Sequence, residues 1–105
     1  MTKQIDNITR HSEVSEKAIE KYLTEQASNN GWLCLKYFNP NMAGYPDRLL
    51  LIPGGKTYWV ELKSKGKKPS QLQSRRMAEL IAMGFPVAVI DSKEAVDELI
   101  KSNKR

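Results

Sequence analysis

Asp47, Glu61 and Lys63 are the residues of this sequence whose types and spacing can do hydrolytic chemistry on a phosphate ester. Two carboxylates brought together make a hard-oxygen site for Mg²⁺ or Mn²⁺. A cation held there polarises a phosphate oxygen and lowers the pKa of a bound water, while a neighbouring ammonium orients that water or stabilises charge on the phosphate. A hairpin makes the three converge. Centring the turn on Gly54-Gly55 pairs residues whose numbers sum to about 109, placing Arg48 opposite Glu61 and Asp47 beside Glu61 and Leu62. Strand alternation puts Trp59, Glu61 and Lys63 on one face and Tyr58, Val60 and Leu62 on the other. Carboxylates ~4 Å apart repel by roughly 4 kcal/mol at an effective dielectric of about 20, a large part of the ~5–15 kcal/mol that holds a domain together. A divalent cation offsets that repulsion. The same spacing also suits a surface Glu61–Lys63 pair with Asp47 capping a turn, so spacing alone leaves both readings open.

The elements that position these groups follow from periodicity. Residues 1–11 lack a sustained pattern and read as a flexible tail carrying the single histidine, His11, and residues 12–105 read as one domain. Val14, Ala18, Ile19, Tyr22, Leu23 and Ala27 follow helical spacing, with Ser12 or Ser15 as cap and an end near Asn29-Asn30-Gly31. Trp32–Phe38 reads as a largely buried strand, with Trp32 in or near the core and Cys34 a buried strand residue. Asn39–Pro46 reads as a loop, Arg48–Ile52 as a second strand and Thr57–Lys63 as a third, antiparallel to it. A basic loop, Ser64–Pro69, leads to Ser70-x-x-Gln73, which has the form of a capping box. Leu72, Met77, Leu80 and Ile81 then mark a helical face ending at Gly84. Phe85–Ile90 reads as a fourth strand, and Ser92 opens a last helix with Ala95, Val96, Leu99 and Ile100 inward. The order αβββαβα predicts an α/β fold, a central mixed four-stranded sheet flanked by helices.

Composition narrows the function classes. With 105 residues, 40% of them hydrophobic, the chain has material for one core. Its longest apolar runs, such as Leu49–Ile52, are far short of the ~20 residues that cross a bilayer. The start lacks a signal-peptide pattern. A single cysteine rules out an intramolecular disulfide and a multi-thiolate metal site, so a reducing cytoplasm is expected. The formal charge of +5 is concentrated between Lys56 and Arg76, where Lys56, Lys63, Lys65, Lys67, Lys68, Arg75 and Arg76 stand against Glu61 alone. Such a stretch is the footprint of phosphate-backbone binding, and equally that of a solvated loop and helix face. Lys65, Lys67, Lys68, Arg75 and Arg76 are the DNA-contact candidates.

Gly44-Tyr45-Pro46-Asp47-Arg48 followed by Val60-Glu61-Leu62-Lys63 resembles the PD-(D/E)XK nuclease motif, and more narrowly the GxPDR…VELK form of the VRR-NUC (virus-type replication-repair nuclease) family. The resemblance runs from about Ser15 to Val96 and includes Glu16-x-x-Ile19-Glu20, Pro53-Gly54-Gly55, Ser70-x-x-Gln73 and Met83-Gly84-Phe85-x-Val87. It implies an αβββαβ core and metal-dependent DNA cleavage, as in the family's short phage proteins. It also implies metal ligation by Asp47, Glu61 and the Leu62 carbonyl, a catalytic Lys63, an active-site Gln73, and a first-helix carboxylate from Glu16 or Glu20, Glu16 being the preferred one. Mg²⁺ or Mn²⁺ is the implied cofactor.

The expectation is a structure-selective endonuclease acting on branched DNA, in particular a homodimer that resolves four-way (Holliday) junctions, because two symmetric cuts need two sites. The alternatives are a nuclease for flaps or other branched DNA, and a non-catalytic basic DNA-binding module. The latter would be expected to have lost one of Asp47, Glu61 or Lys63, and this chain has all three.

Overall fold

A computed structural model describes residues 14–104; the expected tail, with His11, lies outside them. Helix α1 spans Glu16–Asn29. Ser15 caps it by accepting the Ala18 N–H at 3.0 Å, and Gly31, at φ 74°, turns the chain out of it. Ile19, Leu23 and Ala27, four residues apart, form the stripe that α1 buries. Strands β1 (Leu33–Lys36), β2 (Arg48–Ile52) and β3 (Lys56–Leu62) follow. Helix α2 (Gln71–Ala82), strand β4 (Val87–Ile90) and helix α3 (Lys93–Asn103) complete the chain. Among the described residues no helix is long and apolar enough to cross a membrane.

The sheet has the order β1-β2-β3-β4. The first two pairings are antiparallel and β3–β4 is parallel. A parallel pair needs a crossover, which α2 supplies. It opens with a complete capping box: Ser70 Oγ accepts the Gln73 N–H at 3.1 Å, and Gln73 Oε1 accepts the Ser70 N–H at 2.8 Å. This box fixes the start of the helix and the position of Gln73 together.

Both α1 and α3 lie on one sheet face, where Ile19, Leu23, Val96 and Ile100 meet Leu50, Val60 and Leu62 in the main core. Strand alternation sends Leu33, Leu35, Leu49, Leu51, Trp59 and Glu61 to the other face, against which α2 brings Gln73. That face is only partly covered. Leu33 and Leu35 are 58% and 44% exposed, so β1 is shorter and far less buried than its composition predicts. Its aromatic and apolar residues suit a strand, but burial depends on what lies above them, and here nothing described does. Cys34, pointing the other way, packs against the core. Trp32 is buried and Trp59 half-buried. On α2 only Met77 and Leu80 are buried, whereas Leu72 and Ile81 are exposed; the inner stripe is narrower than the apolar pattern.

The β2–β3 register differs from the expectation by one residue. Ile52 faces Lys56 and Arg48 faces Val60, so paired numbers sum to 108. The physical reason is the turn: Pro53, Gly54 and Gly55 form a three-residue loop centred on Gly54, with Gly54 at φ 98° and Gly55 at φ 83°. Extending the register by one step brings Asp47 directly across from Glu61.

Candidate active site

Among the described residues Glu61 is the only charged or polar one that is buried, 1% exposed and flanked along β3 by the core residues Val60 and Leu62. Its Oε2 takes both donors that reach it, Lys63 Nζ at 3.1 Å and Gln73 Nε2 at 3.0 Å. Its Oε1 is buried with no partner. Burial first, then the Asp47 charge, pushes the Glu61 pKa up from 4.5 to about 7 against the opposing pull of Lys63, with Glu16 adding a smaller upward push. A buried carboxylate with one oxygen doubly satisfied and the other bare is costly as it stands, since an unpaired buried polar atom forfeits its hydration.

Asp47 arrives differently. The β1–β2 ladder reaches it through Tyr37, whose N–H donates to the Asp47 carbonyl at 2.7 Å. Its side chain accepts the Leu62 N–H on Oδ2 at a long 3.4 Å. The preceding residue, Pro46, is fully buried. The loop before it is tied to α2: Arg76 Nε donates to the Ala43 carbonyl at 3.0 Å and the Tyr45 hydroxyl donates to Glu79 at 3.0 Å.

A cleft of about 450 Å³ opens beside Asp47, lined by Glu16, Lys17, Glu20, Lys36, Tyr37 and Phe38 as well. The two first-helix carboxylates behave unlike each other. Glu20 is paired with Arg48 at 3.0 Å, whereas Glu16 is exposed in the first turn. Among the described residues no three His, Cys, Asp or Glu side chains stand close enough together to hold a metal, so Glu16 lines the cleft without joining a three-carboxylate cluster. The donor set still fits a hard cation. Mg²⁺ commonly takes one or two carboxylates and fills its remaining positions with water, and the bare, buried Glu61 Oε1 opposite Asp47 is the kind of oxygen it takes.

The remaining candidates spread over the edge of this region. Lys65, Lys67 and Lys68 are exposed on the loop that leaves β3, and Arg75 is exposed on α2. Arg76 is not presented in the same way: besides the Ala43 carbonyl its guanidinium engages Glu79 at 3.3 Å and lies 5.0 Å from the Tyr45 ring centre. Sequence reasoning misses Lys17, Lys36, Tyr37 and Phe38 as cleft residues. For Lys36 and Tyr37 a signal exists: Lys36 ends β1 and Tyr37 follows it, and β1 pairs with the strand that Asp47 precedes. Phe38, 81% exposed at the cleft wall, offers none, because its residue type suits a buried strand.

The sequence matches no family model. It is 40% identical over 81 residues, 77% of this chain and 87% of the relative, to the protein named "Putative nuclease p44" of Acyrthosiphon pisum secondary endosymbiont phage 1. A solved structure described as a "VRR_NUC domain" superposes with a TM-score of 0.79 at 31% identity, covering 85% of this chain and 97% of that one. The chain belongs to the VRR-NUC family. The expected mixed four-stranded sheet flanked by helices is thus the VRR-NUC fold, and the PD…ExK residues come together at one end of its sheet.

Proposed function

We propose that this VRR-NUC protein is a Mg²⁺- or Mn²⁺-dependent DNA endonuclease, selective for branched structure and acting as a homodimer on four-way junctions. The observation that carries the catalytic part is Glu61 Oε1, bare and buried across from Asp47. Asp47, Glu61 and the Leu62 carbonyl would hold the cation, with Glu16 contributing from the cleft wall. A bound cation supplies Lewis-acid polarisation of the scissile phosphate and an acidified water.

The chain's own residues do the positioning. Lys63 and Gln73 converge on one oxygen of Glu61 and so leave the other for the cation. Lys63 also places an ammonium beside the reacting phosphate, where it orients water or stabilises developing charge. Lys65, Lys67, Lys68 and Arg75 grip backbone phosphates on either side, contacts that position the substrate without reading bases. Selectivity then comes from the shape of the DNA and from the fixed separation of two sites in a two-fold dimer.

The test is cleavage of linear, flap and four-way substrates with Mg²⁺, Mn²⁺ or EDTA, together with light scattering at micromolar concentration. The expected results are metal-dependent cutting, preference for junctions, and a mass near twice 12.0 kDa. Full activity in EDTA overturns the metal reading. A monomer that remains monomeric on junction DNA, or equal cutting of linear duplex, overturns the junction reading alone.

A further inference from the structure

Helix α2 touches both arms of the site. On one side Gln73 donates to Glu61 at 3.0 Å. On the other, one helical turn further on, Arg76 and Glu79 hold the loop that ends at Asp47. Arg76 Nε donates to the Ala43 carbonyl at 3.0 Å, its Nη1 pairs with Glu79 Oε1 at 3.3 Å, and the Tyr45 hydroxyl donates to the other Glu79 oxygen at 3.0 Å. The guanidinium also lies 5.0 Å from the centre of the Tyr45 ring, a cation–π distance. Tyr45 packs edge-on to Tyr37 at 6.5 Å, and Tyr37 in turn packs edge-on to Trp59 of β3 at 5.0 Å. Gly44 lies so close to the helix that a Cβ there would stand 2.7 Å from Leu72 Cγ and 3.1 Å from Arg76 Cγ. Its φ of 96° is also one that favours glycine. Loop and helix therefore meet without a gap, two residues from the buried Pro46 and three from Asp47.

We propose that Arg76 and Glu79 are positioning residues that lock the Ala43–Tyr45 loop onto α2, so that this one helix, through Gln73 and the Arg76–Glu79–Tyr45 clamp, sets the separation of Asp47 from Glu61. Arg76 then serves the site from inside and is not one of the phosphate-gripping cations, a role that falls to its exposed neighbour Arg75. The geometry is the reason: three partners already surround the Arg76 guanidinium, and its planar fork matches a carboxylate, a carbonyl and a ring at once, which a lysine ammonium cannot do.

The metal-binding consequence rests on the proposed cation site, so the experiment reads the clamp in two ways, one of them free of metal. Arg76→Ala, Arg76→Lys and Tyr45→Phe are compared with the unaltered protein and with Asp47→Asn. Amide hydrogen exchange without metal reports the clamp itself, because the Tyr37 N–H donates to the Asp47 carbonyl and the Leu62 N–H to its side chain. Both amides should exchange faster in Arg76→Ala and Arg76→Lys, and less so in Tyr45→Phe, while the core amide of Leu50 is unchanged. Mn²⁺ titration by calorimetry should show about tenfold weaker binding in both Arg76 variants, the usual size for removal of a supporting group. Their kcat should fall with KM for DNA held. Unchanged exchange at Tyr37 and Leu62 overturns the clamp. So does an Arg76→Ala that binds DNA more weakly with a flatter salt dependence and is rescued by Arg76→Lys, for that is how a phosphate contact behaves. If exchange rises as expected but neither the unaltered protein nor Asp47→Asn binds Mn²⁺, the clamp stands and the cation site is what fails.

Discussion

Glu61 and Asp47 arrive at the same end of the sheet by opposite routes. Glu61 is the sixth residue of a seven-residue strand with partners on both sides, and the core residues Val60 and Leu62 fix its backbone. Asp47 lies just before β2, after a long loop without regular structure, and its side chain has one long hydrogen bond. The first arm is rigid because of the ladder it belongs to; the second borrows its rigidity from side chains on α2. A strand can place one ligand at little conformational cost, but the second must come from outside that strand and be held by contacts made for it.

Removing either carboxylate is the strongest way to probe the comparison. Glu61→Gln and Asp47→Asn should each lower turnover by roughly a hundredfold or more while DNA binding persists, since metal-held charge stabilisation is worth several kcal/mol. Gel-shift and cleavage assays on one substrate separate the two effects. Near-full turnover in either variant would remove that arm from the chemistry.

The Glu61 arm should also show in how stability responds to pH. Glu61 titrates near 7 when folded, against an ordinary 4.5. Between those values the folded chain keeps a proton that the unfolded chain has released, so metal-free stability falls as pH rises through that window and stays low above it. The difference of about 2.5 pH units corresponds to at most on the order of 3 kcal/mol. Urea unfolding at pH 5 and pH 8 should show the loss, Mn²⁺ should restore stability at pH 8, and Glu61→Gln should flatten the response. An unaltered response in Glu61→Gln would assign the proton elsewhere.

This contrast also explains what could be read from the sequence. Glu61 and Lys63 share a face of an alternating strand and Gln73 belongs to a capping box, so these local settings follow from short-range pattern, whereas the place of Gln73 beside Glu61 is implied only by the family resemblance. Arg76 reads in the sequence as one more cation of the basic stretch, because the loop it engages lies more than 30 residues earlier, as its 33-residue separation from Ala43 shows. The hairpin register slipped by one because Pro53-Gly54-Gly55 permits more than one turn length. The exposure of β1 was hidden because hydrophobic composition reports a residue's suitability for burial and says nothing of whether an element covers it.

The Glu61 arm runs on past Lys63 into the exposed Lys65–Lys68 loop, and this extension should act by charge alone. Replacing Lys65, Lys67 and Lys68 with glutamine should weaken binding to all DNA sequences alike. It should lower the slope of log K against log salt by up to about 3, or roughly 0.9 for each phosphate no longer neutralised. An unchanged slope would return the loop to the solvated surface.

The smallest expected effect concerns the carboxylates of α1 beside the Asp47 arm. Glu20 is held by Arg48, whose guanidinium also donates to the Cys34 carbonyl at 3.4 Å, so that the pair ties α1 to β1 and β2. Its removal should show as stability, with Glu20→Gln costing about 1 kcal/mol or less because the pair is only partly buried. Glu16 has the reverse profile: it is exposed and lines the cleft beside Asp47, and its charge reaches Glu61. Glu16→Gln should leave urea stability nearly unchanged and weaken Mn²⁺ binding a fewfold, since it removes one negative charge from the cation's surroundings. Measuring both quantities on both variants decides between the carboxylates. If Glu20→Gln weakens Mn²⁺ binding while Glu16→Gln does not, Arg48 must release Glu20 to the cation, and the Asp47 arm would then be completed by a rearranging ion pair.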